Sequence, residues 1–82
     1  MAYYNELKRI VCMNESISNH VYELRVKAEV TQEKLAEAIG VTRQTIIAVE
    51  KGNYTPSVLL ALKIAKFFKK SIEEIFTITH ER

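Results

Sequence analysis

At 82 residues the chain has room for one domain, and its 48% apolar and 27% charged residues indicate a globular rather than a disordered protein. A net charge of +2 is compatible with nucleic acid but does not argue for it, and the single cysteine, Cys12, excludes a disulfide framework and a four-ligand zinc site within one chain. Because no signal peptide and no stretch of ~18 apolar residues is present, we expect a cytoplasmic protein with no membrane partner.

Apolar residues at three- and four-residue spacing predict five short helices and so an all-α fold. The helices are expected at about 20–29, 32–39, 43–51, 57–68 and 71–76. Thr31 and Thr42 are candidate N-caps, and Gly40 suits the left-handed residue that ends a helix. Ser71 and Glu74 have the spacing of a capping box. After the fourth helix, where a glycine is often found, the chain has two lysines at 69–70. Either one of them takes a strained turn or the helix ends differently.

The two ends of the chain follow a different pattern. Ile17–Ser18 and 77–79 are alternating β-branched segments that could pair as a two-stranded antiparallel ladder. Tyr4, Leu7 and Val11 allow an extra helical turn, and Met13 is a candidate natural start. We therefore divide the chain into an N-terminal extension (1–19), a helical domain (20–76) and a C-terminal tail (77–82).

The window 32–51, QEKLAEAIGVTRQTIIAVEK, predicts two helices that cross steeply at a short turn. Ala36 is small enough to let the second helix approach the first, and Gly40 takes the left-handed backbone at little cost. Apolar residues fill the wedge between the helices: Val41, Ile46 and Val49. The outer face of 43–51 is then left as a ridge that matches the width of a DNA major groove.

These residues resemble the helix-turn-helix family of phage Cro proteins and repressors, the Xre type. The resemblance extends from about Val21 to Phe76 and includes TRQTI, EKGNYTPS and LKIAKFF. It implies a compact five-helix, lambda-repressor-like DNA-binding domain that acts as a two-fold dimer. The second helix of the motif enters the major groove in that family.

The resemblance assigns DNA contacts to matching positions. It implies that Gln32 contacts a phosphate through its side chain and the helix N-terminus. Arg43 and Gln44 are the expected base readers, since arginine can bond guanine O6 and N7 and glutamine can bond adenine N6 and N7. The alternative for each is an exposed helix residue that touches only phosphate.

Four further positions belong to the second helix of the motif, the recognition helix, or to its cap. Thr42 is expected to cap the helix and to meet a phosphate, and Thr45 to touch a phosphate or a thymine methyl group. Ile47 and Ala48 depart from the polar residues common in the family. Ile47 either contacts thymine methyl groups or packs near the dimer interface.

Lys51, Asn53 and Tyr54 follow the recognition helix, where the resemblance implies contacts to the DNA backbone. For Tyr54, packing of the ring over the loop is an equal alternative. The family also pairs an arginine of the first helix with a glutamate near the end of the recognition helix, which implies a structural salt bridge between Arg25 and Glu50.

Surplus apolar residues in the last third of the chain predict a homodimer interface. They are Leu59, Leu62, Phe67 and Ile78. The alternative is that some of them cover the N-terminal residues instead.

We therefore predict a sequence-specific regulator, most simply a repressor, whose partners are double-stranded operator DNA and a second copy of the chain. An antitoxin that binds a toxin protein and represses its own promoter is the alternative. His20 and His80 lack neighbouring ligands, so no metal site, cofactor or enzymatic activity is expected.

Overall fold

The computed structural model describes residues 15–80, within which five helices and one two-stranded sheet form. In chain order these are β1 (Glu15–Asn19), α1 (Val21–Lys27), α2 (Gln32–Ile39), α3 (Arg43–Lys51), α4 (Val58–Phe68), α5 (Ile72–Ile75) and β2 (Phe76–His80). The predicted five-helix fold is confirmed. The expectations for Cys12, Met13 and an extra turn near Tyr4, Leu7 and Val11 lie outside the described residues.

Local capping decides where α2 and α3 begin and end, and both helices have the predicted bounds. The hydroxyls of Thr31 and Thr42 each accept the backbone N–H three residues further on, at 3.0 and 3.2 Å. Gly40 and Gly52 follow the helices with φ of 77° and 80°, a conformation that costs glycine little. The two motif helices are therefore set by contacts within a few residues.

α1 and α4 show the same local chemistry with non-glycine residues. α1 is shorter than the predicted 20–29 because Glu29 takes a left-handed φ of 60° and the next N–H, that of Val30, turns back to the carbonyl of Arg25. α4 begins after the cap residue Ser57. It ends at Phe68 because the next residue, Lys69, takes the strained turn expected at one of the two lysines, with φ of 58°.

The capping box at the start of α5 is confirmed. The Ser71 hydroxyl accepts the N–H of Glu74, and a Glu74 carboxylate oxygen accepts the N–H of Ser71 at 2.8 Å. This backbone bond holds the pKa of Glu74 below its ordinary value. α5 ends at Ile75, one residue before the predicted end, because Phe76 already has extended backbone and opens β2.

The predicted antiparallel ladder forms and is longer than the sequence indicated. All five residues of β1 pair with all five of β2, with Ile17 opposite Ile78. On the other face, hydroxyls of Ser18 and Thr77 lie 2.8 Å apart. The strands tie the two ends of the described chain to each other.

A single core holds the helices together. Its largest fully buried side chains come from α1 to α5: Val21, Leu35, Ile46, Val49, Ile64 and Ile75. Ala36 is also buried, and Val41 packs against the core in part. The small side chain and the wedge residues predicted for the motif therefore lie where α2 and α3 meet, and they fix α3 against the rest of the domain.

Candidate nucleic-acid interface

α3 presents a polar outer face because its inner face is held in the core. Ile46 and Val49 have no exposed surface. At about 100° per residue, the positions on the opposite side of the helix come from both of its turns. They are Gln44, Ile47, Ala48 and Lys51. Gln44 and Lys51 are exposed, whereas Ile47 and Ala48 are half-buried at the edges of this face.

The N-terminal end of α3 projects Arg43 and is stabilised by two threonines. Arg43 is exposed, next to the equally exposed Gln44. The hydroxyls of Thr42 and Thr45 lie 3.0 Å apart, so each already has a partner within the protein. Thr45 is half-buried. These two threonines therefore build the start of the helix, and the side chains free to reach outward from it are Arg43 and Gln44.

Arg43 also borders an open depression of about 400 Å³ at the N-terminus of α2. The other residues that line it are Arg25, Thr31, Gln32 and Glu33. The first N–H groups of a helix have no partner within the helix, and they carry partial positive charge. The exposed Arg43 and a helix N-terminus thus border one surface, an arrangement suited to a phosphate group.

Behind this depression, Arg25 and Glu50 form an ion pair that joins α1 to α3. Arg25 Nε lies 2.6 Å from a Glu50 carboxylate oxygen, and the two side chains are only 11% and 5% exposed. Arg25 also donates to the carbonyl of Val30 at 2.9 Å. The pair therefore connects the last turn of α3 to the start of the motif.

Gln32 also bonds to Glu50, a contact that was not predicted from the sequence. Its side-chain Nε2 donates to a Glu50 oxygen at 3.1 Å. An amide nitrogen has two N–H groups, so this bond leaves the second one for another acceptor. Gln32 is half-buried at the N-terminus of α2, where its side chain is oriented by Glu50.

The residues after α3 are exposed but lie in different settings. Lys51 occupies the last turn of the helix, and the N–H of Asn53 donates to the carbonyl of Ala48 at 3.0 Å. Tyr54 is exposed and borders a second depression together with Leu59 and other residues of the loop and α4.

An apolar surface on α4 and the ladder forms a second candidate interface. Leu59, Leu62 and Ile78 are exposed, as the sequence indicated. Phe67 differs from them, because it is half-buried, packs against the core and meets Phe68 edge to face at 5.0 Å. It borders a depression beside Gly40 that none of the other three lines.

Two further residues of this surface were not predicted from the sequence. Val58 is 75% exposed and lies one turn before Leu62, and Ile17 of β1 is also exposed. Together they border an apolar groove of about 160 Å³. Val58 could have been found from its position on α4, since it shares a helix face with Leu62, whereas Ile17 joins the surface only through the ladder.

Within residues 15–80 no group of three or more histidine, cysteine and acidic residues could hold a metal ion. Over the same part of the chain, no helix has the length and apolar character needed to cross a membrane. His20 lies 3.9 Å from the Glu23 carboxylate on the exposed surface of α1.

A family model described as helix-turn-helix matches residues 21–75, more than half of the chain. The chain belongs to the Xre-type helix-turn-helix family of DNA-binding transcriptional regulators. The match begins with α1 and ends with α5, so both strands lie outside it.

Curated relatives of this Xre-type regulator agree with the family. It is 52% identical over 65 residues to the HTH-type transcriptional regulator YgzD of Bacillus subtilis, covering 79% of this chain and 98% of YgzD. An HTH-type transcriptional regulator of Methanocaldococcus jannaschii is 55% identical over 60 residues, covering 73% of this chain and 91% of that one. The phage CTXphi transcriptional repressor RstR of Vibrio cholerae is 38% identical over 58 residues, covering 71% of this chain and 52% of RstR.

Solved structures share the fold of this Xre-type regulator. The restriction-modification controller protein C.AhdI of Aeromonas hydrophila superposes with a TM-score of 0.63 at 31% identity, covering 67% of this chain and 83% of that one. The transcriptional regulator VanUg has a TM-score of 0.68 at 20% identity, covering 84% and 92% of the two chains.

Proposed function

We propose that this chain is a repressor that binds operator DNA as a two-fold dimer and reads the major groove with α3. The observation that carries the proposal is the exposure of Arg43 and Gln44 at the N-terminal end of a helix whose other face is buried. In this geometry the two side chains can reach base edges when α3 lies in the groove. The relative RstR is named a transcriptional repressor, which favours repression over activation.

The remaining polar residues are proposed to hold the DNA backbone. Gln32 and the N-terminus of α2 face a depression that Arg43 also borders, so one phosphate could be held there while α3 lies in the groove. Lys51 lies on the outer face of α3, and Asn53 and Tyr54 follow it. Thr42, Thr45, Ile47 and Ala48 would contribute packing against the sugar–phosphate chain or thymine methyl groups at the edges of the same face.

Selection of bound fragments from random double-stranded DNA tests the proposal. We expect an enriched inverted repeat with half-site centres about one helical turn, ~34 Å, apart. Affinity for the selected duplex should exceed that for a scrambled duplex by about 10³ or more, and both should fall steeply between 50 and 200 mM salt. A library that emerges without enrichment contradicts sequence-specific binding.

The dimer is proposed to form through the apolar surface of α4 and the ladder. In a two-fold interface the same patch of each subunit faces its mate, so one apolar surface is sufficient. The residues that form this apolar surface are Val58, Leu59, Leu62, Ile17 and Ile78. Phe67 is left out of this interface because its ring is largely used within the subunit.

Replacing Leu62 by glutamate should therefore separate the subunits without unfolding them. Leu62 is half exposed in the single chain, so the fold tolerates a charge there, whereas a dimer would have to bury it. We expect the dimer dissociation constant to rise at least about tenfold in sedimentation equilibrium, equivalent to 1.4 kcal/mol. Ala38→Glu, which adds the same charge at an exposed position of α2, is the control and should leave the constant unchanged. A parent chain that sediments as a monomer at about 100 μM contradicts the dimer.

A further inference from the structure

Asn19, the last residue of β1, joins three elements through one side chain. Its Nδ2 donates to the carbonyl of Val49 in the last turn of α3 at 2.9 Å, and its Oδ1 accepts the N–H of Val21 at the start of α1 at 3.0 Å. Its backbone pairs with Phe76 of β2. Both side-chain bonds are part-buried, where water competes less well for the same groups. The bond to Val49 therefore connects the ladder to the end of α3.

This junction requires an amide of this length. The Val49 carbonyl accepts the N–H of Gly52 at 3.0 Å and has a second lone pair for the Asn19 amide, whereas the Val21 N–H, one of the unpaired groups at a helix N-terminus, needs an acceptor. Aspartate and serine can supply the acceptor, as they do at helix N-caps, but a carboxylate has no proton to donate to Val49. Asparagine offers both groups on one short side chain.

Because the bond is made at the last turn of α3, a small change in the helix angle there produces a larger displacement at the opposite end of the helix. The nine residues of α3 span about 13 Å, with Arg43 and Gln44 at the N-terminal end and Val49 in the last turn. A tilt of about 5° at the last turn moves the first turn by roughly 1 Å, which exceeds the ~0.5 Å within which a binding group must be held. The end of α3 is held by Arg25 and Gln32 through Glu50, and at the neighbouring residue by Asn19.

We propose that Asn19 is a positioning residue that sets the angle of α3 for base readout. The inference rests on the proposed function, because it concerns the side chains that we expect to read the operator. Through Asn19 the ladder then affects DNA recognition, although neither strand contacts DNA. Backbone pairing in the ladder fixes Asn19, and the Asn19 side chain fixes the last turn of α3 through its hydrogen bond to Val49.

The test compares Asn19→Ser and Asn19→Asp with the parent chain. Both variants can keep an acceptor for Val21 and lose the amide donor to Val49, since a carboxylate has no proton to donate and the serine hydroxyl is one atom shorter than the asparagine amide. Asn19→Ser also adds no charge. Ser18→Ala is the matched control, since it removes the hydroxyl contact to Thr77 in the same strand without touching α3. Two quantities are measured well below the melting temperature: the ratio of affinities for the selected and scrambled duplexes, and the backbone amide chemical shifts of the free protein.

We expect the affinity ratio to fall about tenfold in both Asn19 variants, an effect of the size of one lost part-buried hydrogen bond. The ratio should be unchanged in Ser18→Ala. Amide shifts should change along the whole of α3 in the Asn19 variants, including Arg43 and Gln44. The charge of Asn19→Asp weakens binding to both duplexes alike and so cancels in the ratio.

An unchanged ratio in Asn19→Ser, with a lower melting temperature, would make Asn19 a scaffold residue only and overturn the proposal. Amide shift changes confined to the last turn of α3 would do the same. If the parent chain itself does not distinguish the two duplexes, the proposed function fails. The amide shifts then still show whether Asn19 orients α3.

Discussion

Replacing Glu50 by alanine should lower the free energy of unfolding by about 3 kcal/mol or more. The substitution leaves the Arg25 guanidinium, only 11% exposed, without its carboxylate, and breaking a buried pair from one side is far more costly than removing both partners. It also removes the acceptor of the Gln32 amide. For a domain of this size the melting temperature should fall by about 12 °C or more.

Urea and thermal unfolding followed by circular dichroism measure this effect, at one fixed protomer concentration because dimerisation would add to the apparent stability. Glu37→Ala is the control: Glu37 is an exposed glutamate of α2, and its loss should change stability by no more than about 0.5 kcal/mol. The double variant Arg25→Met with Glu50→Leu should regain most of the lost stability, since no charge is then stranded. An unchanged melting temperature in Glu50→Ala would show that the ion pair does not stabilise the domain.

The second large effect is expected on operator recognition. Arg43→Ala and Gln44→Ala should each reduce the preference for the selected operator over a scrambled duplex by about 5- to 150-fold, corresponding to the ~1–3 kcal/mol of one bidentate base contact. Each substitution should also relax the selected sequence at the base pair that the side chain reads. Stability should be nearly unchanged, because both side chains are exposed.

Lys51→Ala provides the comparison. As a proposed phosphate contact on the same helix, Lys51 should contribute similarly to all sequences, so its loss weakens binding to both duplexes and reduces the salt slope by about 1. Fluorescence anisotropy with both duplexes at several salt concentrations separates the two classes of residue. If Arg43→Ala and Gln44→Ala both retain the sequence preference of the parent chain, the assignment of base reading to these residues is wrong.

Much of the fold could be predicted because the helix boundaries depend on contacts within four residues. The two motif helices begin and end where the sequence indicated, at the capping residues Thr31, Thr42, Gly40 and Gly52. Glu29 was missed as an early end of α1, since a glutamate in the left-handed region has no distinctive sequence signal. The ladder was foreseen from its β-branched alternation, although its full length was not.

The candidate site was predictable only in part. Exposure of Gln44 follows from its place on the outer side of an amphipathic helix and that of Arg43 from its place in the first turn, but the pairing of Arg25 with Glu50 was expected from the family resemblance alone. The bond from Gln32 to Glu50 had no signal in the sequence, because its partners are 18 residues apart. Phe67 and Leu62 were both predicted from the sequence to lie at the dimer interface. The structure distinguishes them, because Phe67 packs against the core and Leu62 is exposed.

By itself, the sequence determined the helices, their caps and the polar outer face of α3, since these depend on residue type and short-range spacing. Only the tertiary structure decided which distant side chains meet. It brought Asn19 to the carbonyl of Val49, 30 residues away, and Ile17 beside Val58. Such contacts depend on how the helices and strands pack together, and that packing is specified by the whole core.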